Sequence, residues 1–302
     1  MISNAKKKGI MNEIFINREK YFLVAPYALF FFIFVIIPII SSLFLSFTDF
    51  NMLQIPKFTG ISNYLRLFLH DDVFLKAIKN TILLAFLTGP LSYLLCLMLA
   101  WFINELSPKI RAFMTLVFYA PSLAGNVFFI WTYIFSSDKF GFINANLIRI
   151  GIIQEPILWL NDPQYIMTIV IIVQLWLSLG TGFLAFVAGL QSVDRTLYEA
   201  GAVDGIKNRW QEFWHITLPS MKPLLLFGAI MQIAVSFSVA AVPMALAGFP
   251  STDDAAVTIV SHIMDNGLLR YEMGYASAIA TFLFLIMVLS RMVISSLIRT
   301  DD

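Results

Sequence analysis

The chain has 302 residues, 59% of them hydrophobic and only 13% charged, which excludes an ordinary soluble domain and marks a membrane protein. Its 20 basic and 19 acidic residues leave a formal net charge of +1, so no basic surface for nucleic acid is present. The single cysteine, Cys96, excludes an intrachain disulfide and is expected as a small buried apolar residue.

In chain order, residues 1–21 form a basic stretch ahead of an apolar run that is too long for a signal-peptide core and lacks a small-residue cleavage site. It is expected to stay as a cytoplasmic tail. Apolar runs follow at 22–47, 79–103, 112–135, 165–191, 223–247 and 275–298, each long enough to cross a hydrocarbon core of about 30 Å as a helix. Alternating segments of about ten residues, the barrel pattern, are absent, so the backbone must be satisfied within helices. The expectation is an all-α membrane protein with six transmembrane helices over 22–298 and a short C-terminus at 299–302. With the N-terminus inside, 13 of the 20 lysines and arginines fall on the inner side and 7 on the outer. The positive-inside rule then puts both termini and the 192–222 loop in the cytoplasm.

None of the six runs holds an Asp or Glu; of the two charges within them, Lys79 is the first residue of the second run and Arg291 is close enough to the inner end to snorkel. A proton or sodium relay through intramembrane carboxylates is therefore disfavoured. No G-x-x-x-x-G-K-[ST] loop is present, so the chain does not bind and hydrolyse ATP in the P-loop manner. No Ser/His/Asp, paired-carboxylate or metal set lies within or beside the runs. The chain is read as no enzyme, with no catalytic residue, metal or cofactor of its own, and a pump built on it would draw energy from a partner. His70, His215 and His262, with Asp71, Asp72 and Asp265 nearby, show no metal-ligand spacing and are expected as solvated loop residues.

Between the fourth and fifth runs lies a polar island, LYEAGAVDGIKNRWQEFWHITLPSMKP, from Leu197 to Pro223. Thr196 followed three residues on by Glu199 reads as a capping box. A short helix should start there, pass through Ala200, Gly201 and Asp204, and stop at Gly205, which tolerates the left-handed conformation that ends helices. Trp210, Phe213, Trp214 and Thr217 recur at helical spacing and form one aromatic face, and Pro219 and Pro223 set the turn into the next run. On these grounds alone the island could be an interfacial helix packed on its own bundle or a surface gripped by another protein.

The sequence E-A-G-A-V-D-G followed by I-T-L-P resembles the EAA motif of permease subunits of binding-protein-dependent ABC importers, in the family's position between spans four and five. Glu199, Ala200, Asp204, Gly205, Phe213, Ile216, Leu218 and Pro219 match it. Gly201 stands where the second Ala is usual, and the interval from Asp204 to Pro219 is one residue longer than the commonest form. FTGISNYLRLF at 58–68, NT at 80–81, Pro121, Trp131, FGFIN at 140–144, WLNDP at 159–163, GLQ at 189–191 and GYASA at 274–278 resemble the malF-like first permease of carbohydrate importers. The family's T-G-G-G-P after the fifth span is present only as AGFPST at 247–252.

The resemblance implies a type I ABC importer permease (MetI-like) fold in a bacterial plasma membrane, in contact with membrane lipid. It implies four kinds of partner: a second, similar permease forming a heterodimer, two ATPase subunits carrying ATP and Mg, an extracellular sugar-binding protein and a sugar, of oligosaccharide class. The helix from Thr196 would sit in a cleft of one ATPase, with Glu199 and Gly205 carrying the coupling. Polar interruptions of the runs, Asn126, Gln174, Ser178, Thr181, Gln232, Ser236 and Ser238, are candidates for the sugar pathway or for helix-packing hydrogen bonds. Anchoring on the family's motifs adds Leu177, Met231 and Val235. Gly180, Thr181 and Gly182 point to a locally broken or closely packed helix. A permease for glycerol phosphate, an amino acid or a peptide, and a scaffold or sensor without transport of its own, remain open alternatives.

Overall fold

The computed structural model describes residues 17–298; the rest of the expected tail and the expected C-terminus at 299–302 lie outside them. The described residues are helices joined by turns, with an isolated antiparallel bridge between Thr48 and Phe58. Helix α1, Arg18–Leu45, starts ahead of the first apolar run, and none of its residues is buried. In a regular helix the Pro38 ring would strike the carbonyl of Phe34, and the chain widens there into a π turn over Phe32–Ile36. Helix α2, Ser62–Leu69, leads to α3, Asp72–Asn104, whose 33 residues span roughly 50 Å. Asp71 caps α3 by accepting a hydrogen bond from the Phe74 N–H at 2.8 Å.

Five of the six runs form helices long and apolar enough to cross a membrane. The third does not form one continuous helix. It divides into α4, Pro108–Leu123, and α5, Phe129–Ile134. The joint at 124–128 follows Pro121, which removes a helical donor, and includes Gly125 at φ +26. After α6, Phe142–Arg149, the fourth run is α7, Pro163–Leu177, and α8, Thr181–Ser192, with a break at 178–180 where the glycines foreshadow one.

The polar island contributes α9, Arg195–Val203, and α10, Arg209–Glu212, which continues as a π turn over Phe213–Thr217. The fifth run is also divided, into α11, Lys222–Phe237, and α12, Ala241–Ala247. A short helix α13, Ile259–Met264, then precedes α14, Met273–Ile298.

Helix α3 is the centre of the bundle, packed against α8 and α11, while α11 also packs on α14, and α14 on the second half of α1. Close approach depends on small residues. A Cβ on Gly228 would come within 2.6 Å of the Phe186 ring, and one on Gly189 within 2.7 Å of Leu224. Three buried clusters follow one another along the bundle. The first, at the island end, contains Cys96, Trp101, Phe183, Phe186, Phe213 and Met221; the second joins Leu84, Phe128, Val170, Val173, Val239 and Leu246. The third, at the opposite end, joins Leu67, Phe74, Ile259, Tyr275 and Ile279. Cys96 is 1% exposed, as a small buried apolar residue should be.

Candidate functional site: the 195–220 loop and the helix breaks

The cap of α9 is Asp194, not Thr196. The Asp194 side chain accepts from the Thr196 N–H at 2.9 Å, and the expected Thr196/Glu199 box does not form. Asp ranks above Thr at this position, and its charge suits the positive end of the helix. Hydrogen bonds from the Thr196 backbone and hydroxyl hold the Asp194 carboxyl below its ordinary range. Glu199 is thereby released from any capping duty: it is exposed and makes no ion pair among the described residues.

The other end of α9 is as expected. Gly205 sits at φ +93. Its N–H donates to the Ala202 carbonyl at 3.4 Å, and the Ile206 N–H to the Gly201 carbonyl at 2.9 Å, the pair of bonds of a Schellman motif. Gly201 is buried, and a Cβ there would come within 2.7 Å of Ile216 Cδ1 and 3.0 Å of Ile206 Cδ1. The missing methyl of the departure at Gly201 is thus filled by two isoleucine ends.

Burial divides the loop into two faces. Thr196, Glu199, Ala200, Asp204, Gly205 and Pro219 are exposed, Leu218 is half-buried, and Gly201, Phe213 and Ile216 are buried. Val203 is apolar and yet 88% exposed. The inward side is anchored by the Tyr198–Thr217 hydroxyl pair at 2.9 Å and by Phe213, whose ring lies 4.9 Å from that of Trp101 on α3. Trp210 also reaches Trp101, at 5.0 Å, whereas Trp214 points away and is 61% exposed. The single aromatic face expected over 210–217 is therefore split. The cause is the π turn at Phe213–Thr217, which absorbs one extra residue in a helix and accounts for the longer interval before Pro219. Arg209 adds a tie, pairing with Glu212 at 2.7 Å and with Glu105 at the end of α3 at 3.2 Å. A polar cavity of about 540 Å³ opens between α9 and the end of α3, lined by residues including Glu105, Arg111, Arg195 and Glu199.

The polar candidates within the runs separate in a similar way. Gln232 is buried and donates to Ser92 on α3 at 2.5 Å, and Ser236 bonds its own helix at the Ile233 carbonyl; both also line an apolar cavity of about 360 Å³ between α3, α11 and α14. Asn126, Ser178 and Ser238 lie at the three helix breaks, with Thr181 starting the helix after the second. Ser178 and Ser238 return their hydroxyls to the carbonyls of Leu175 and Ala234. The Asn126 and Gln174 amide groups make no hydrogen bond among the described residues, Met231 is half-buried, and Val235 is 43% exposed.

The breaks are neighbours. A Cβ on Gly180 would lie 3.7 Å from Ser122 Cβ, just before the first break, and Phe128 and Val239 share one buried cluster. Trp131 Nε1 is buried there without an acceptor among the described residues, and its ring meets Trp176 edge-on at 5.4 Å.

Residues at the opposite end behave differently from expectation. His262 is 5% exposed and lies 2.9 Å from Asp71, so it is not a solvated loop residue. Asp71 also accepts from Tyr275 at 2.5 Å, joining the starts of α3 and α14 to α13. His70 and His215 are exposed. The family-like stretches serve these turns. Asn63 donates to the Ser46 and Thr48 carbonyls, and Asn144, fully buried, bonds the Ser136, Asp138 and Ile157 carbonyls and the Trp159 indole. Gly274 leaves room for the Thr48 carbonyl, which a Cβ would strike.

The family described as binding-protein-dependent transport system inner membrane component matches residues 105–299. The arabinooligosaccharides transport system permease protein AraP of Bacillus subtilis is 29% identical over 97% of this chain and 93% of its own length. The lactose transport system permease protein LacF of Rhizobium radiobacter is 36% identical over 68% of each chain. A bacterial alginate ABC transporter, solved in complex with an alginate pentasaccharide-bound periplasmic protein, contains a chain with a TM-score of 0.77 and 25% identity, covering 96% of this chain and 99% of its own. Helices fit to cross a membrane, a loop with the EAA pattern and these similarities agree: the chain is a multi-pass membrane protein that belongs to the binding-protein-dependent transport system inner membrane component family.

Proposed function

We propose that the chain is the permease subunit of an ATP-driven importer of sugars, of oligosaccharide class, and forms half of the translocation pathway. The broken third run completes a set of six crossings, and both termini and the 192–222 loop face the cytoplasm. A second, similar permease supplies the other half, two ATPases with ATP and Mg supply the energy, and an extracellular binding protein delivers the sugar. The sugar-transporting relatives support the substrate class, and the alginate complex supports the binding protein.

The observation that carries the coupling role is the two-faced α9. One side is pinned to the turn that leads into the fifth run, Tyr198 on Thr217 and Gly201 against Ile216, while Ala200, Val203 and Asp204 are left outward on a capped, rigid helix and Glu199 lines the polar cavity beside it. An apolar Val203 at 88% exposure fits a surface that another protein covers. Closure of the ATPases would push on α9, and the Phe213–Trp101 contact and the Arg209–Glu105 pair would pass that push to α3 as well as to α11.

The pathway is assigned to the three breaks, where non-helical backbone at membrane depth is tolerated only inside protein or around a polar cavity. The unbonded amides of Asn126 and Gln174 and the unpaired Trp131 indole N–H are the groups that a sugar hydroxyl would satisfy. The test is reconstitution of the complex in proteoliposomes with ATP inside and labelled arabinooligosaccharide, lactose, glycerol phosphate or dipeptide outside. ATP-dependent uptake of a sugar supports the reading; uptake of glycerol phosphate or dipeptide alone overturns the substrate class.

A further inference from the structure

The break in the fifth run has a cause in the sequence. A carbonyl at Val239 would bond the N–H of residue 243 in a continuous helix, but residue 243 is proline and has none. The orphaned carbonyl is not left bare. It accepts the Thr258 hydroxyl at 2.8 Å, and Thr258 is completely buried.

Thr258 belongs to a segment held firmly on every side. It caps α13 in a reciprocal box with Ser261, and the next N–H, that of Ile259, donates to Thr81 on α3 at 2.9 Å. Asn80 donates to the Asp254 and Val257 carbonyls, and Lys76 pairs with Asp254 at 3.1 Å. At the far end, His262 bonds Asp71, and Asn266, 1% exposed, bonds the His262 carbonyl.

We infer that residues 251–269 are a rigid strut whose Thr258 hydroxyl holds the fifth-run break open, linking the outer face of the permease to the solute pathway. Thr258 is a positioning residue: it touches no solute and fixes the backbone at Val239, one residue from Ser238. The inference rests on the assignment of the pathway to the helix breaks. A contact made on the outer face by the binding protein would reach the break through α13, which is tied to α3 and its cap at Asp71, Lys76, Asn80 and Thr81.

The complex, reconstituted in lipid nanodiscs, is assayed for ATP hydrolysis with and without sugar-loaded binding protein, alongside its thermal midpoint. Thr258→Val should cut the stimulation about ten-fold, the effect of losing one buried hydrogen bond, with unstimulated hydrolysis unchanged. Thr258→Ser should retain stimulation, and Ser261→Ala, which removes the Ser261 bonds to the Thr258 backbone but leaves the Thr258–Val239 bond in place, should lower the thermal midpoint while stimulation stays near wild type. Adding Pro243→Ala to Thr258→Val returns an N–H to the Val239 carbonyl, so the thermal midpoint should recover while stimulation stays low. Wild-type stimulation in Thr258→Val, or recovery of stimulation together with the midpoint, overturns the strut. If Thr258→Val does not assemble, Asp71→Asn loosens the far anchor and carries the same two outcomes. Asn126→Ala and Gln174→Ala test the pathway separately: a wild-type KM for sugar in both overturns that assignment, whatever Thr258 does.

Discussion

Substitution of Gly205 separates a backbone requirement from a contact. The residue sits at φ +93, and a Cβ added there meets nothing within 4 Å, so a side chain costs only conformational strain, about 1–2 kcal/mol. Relief of that strain would unwind the end of α9 and give up the bonds from Gly205 and Ile206 to Ala202 and Gly201. A shift of that size lowers the population of the docking-ready loop about 5- to 30-fold. It leaves the buried clusters untouched, so the permease still folds and inserts. Gly205→Asn should be the mildest change, Gly205→Ala and Gly205→Asp intermediate, and Gly205→Val the worst, because a β-branched residue is least tolerant of positive φ. The assay is ATPase binding to permease in nanodiscs, with sugar-stimulated hydrolysis measured in parallel. An effect that follows side-chain volume rather than tolerance of positive φ, or normal uptake in Gly205→Val, would refute the reasoning.

Gly201→Ala should lower the thermal midpoint of the permease by an amount matching about 1 kcal/mol, since its methyl would press on Ile216 Cδ1 at 2.7 Å. Ile216→Val should restore it, and a neutral Gly201→Ala would contradict the packing. Trp131→Phe removes a buried N–H that has no acceptor, so stability should hold or rise while the KM for sugar increases several-fold; loss of stability with an unchanged KM would point to packing alone. Asp71 offers a pH test. Burial raises its pKa, but hydrogen bonds from Tyr275, the Phe74 N–H and His262, with the His262 charge, outweigh that and hold it below its ordinary 3.8. A depressed carboxyl contributes stability that is complete above the ordinary value and lost as pH falls through the folded one. The midpoint difference between wild type and Asp71→Asn should therefore stay constant from neutral pH down to about 5 and shrink only below 3.8. A difference that already changes between neutral pH and about 5 would contradict this assignment to the Asp71 carboxyl.

Much of the loop is legible in the sequence because its signals are local. Gly205 ends α9 because no other residue sits as easily at its φ, and Gly180 with Gly182 marks a break, whereas Gly189 and Gly228 serve close packing inside continuous helices. The cap is not legible in the same way, because two acceptors compete within three residues, and Asp194 outranks Thr196 by a preference that a box pattern alone does not weigh. Periodicity groups Trp214 with Trp210 because a 3.6-residue period cannot register a π turn; the longer interval before Pro219 is its trace. The burial of His262 and the bond from Thr258 to Val239 depend on contacts between distant parts of the chain, with Asp71 separated from His262 by 191 positions. Only Pro243, four residues after Val239, announces that a carbonyl there needs another donor. The third run reads as one helix because it is apolar on average, and average apolarity does not report the backbone kink that Pro121 and Gly125 introduce.

The central claim, that α9 is the face through which a partner ATPase drives this permease, is tested most directly at Val203. A Val203→Cys variant in the assembled complex should cross-link to the ATPase and, once the ATPase is bound, should become inaccessible to a water-soluble maleimide that labels the isolated permease readily. If the thiol introduced by Val203→Cys labels equally fast in the isolated permease and in a complex active in ATP hydrolysis, the account of α9 as the docking helix is contradicted.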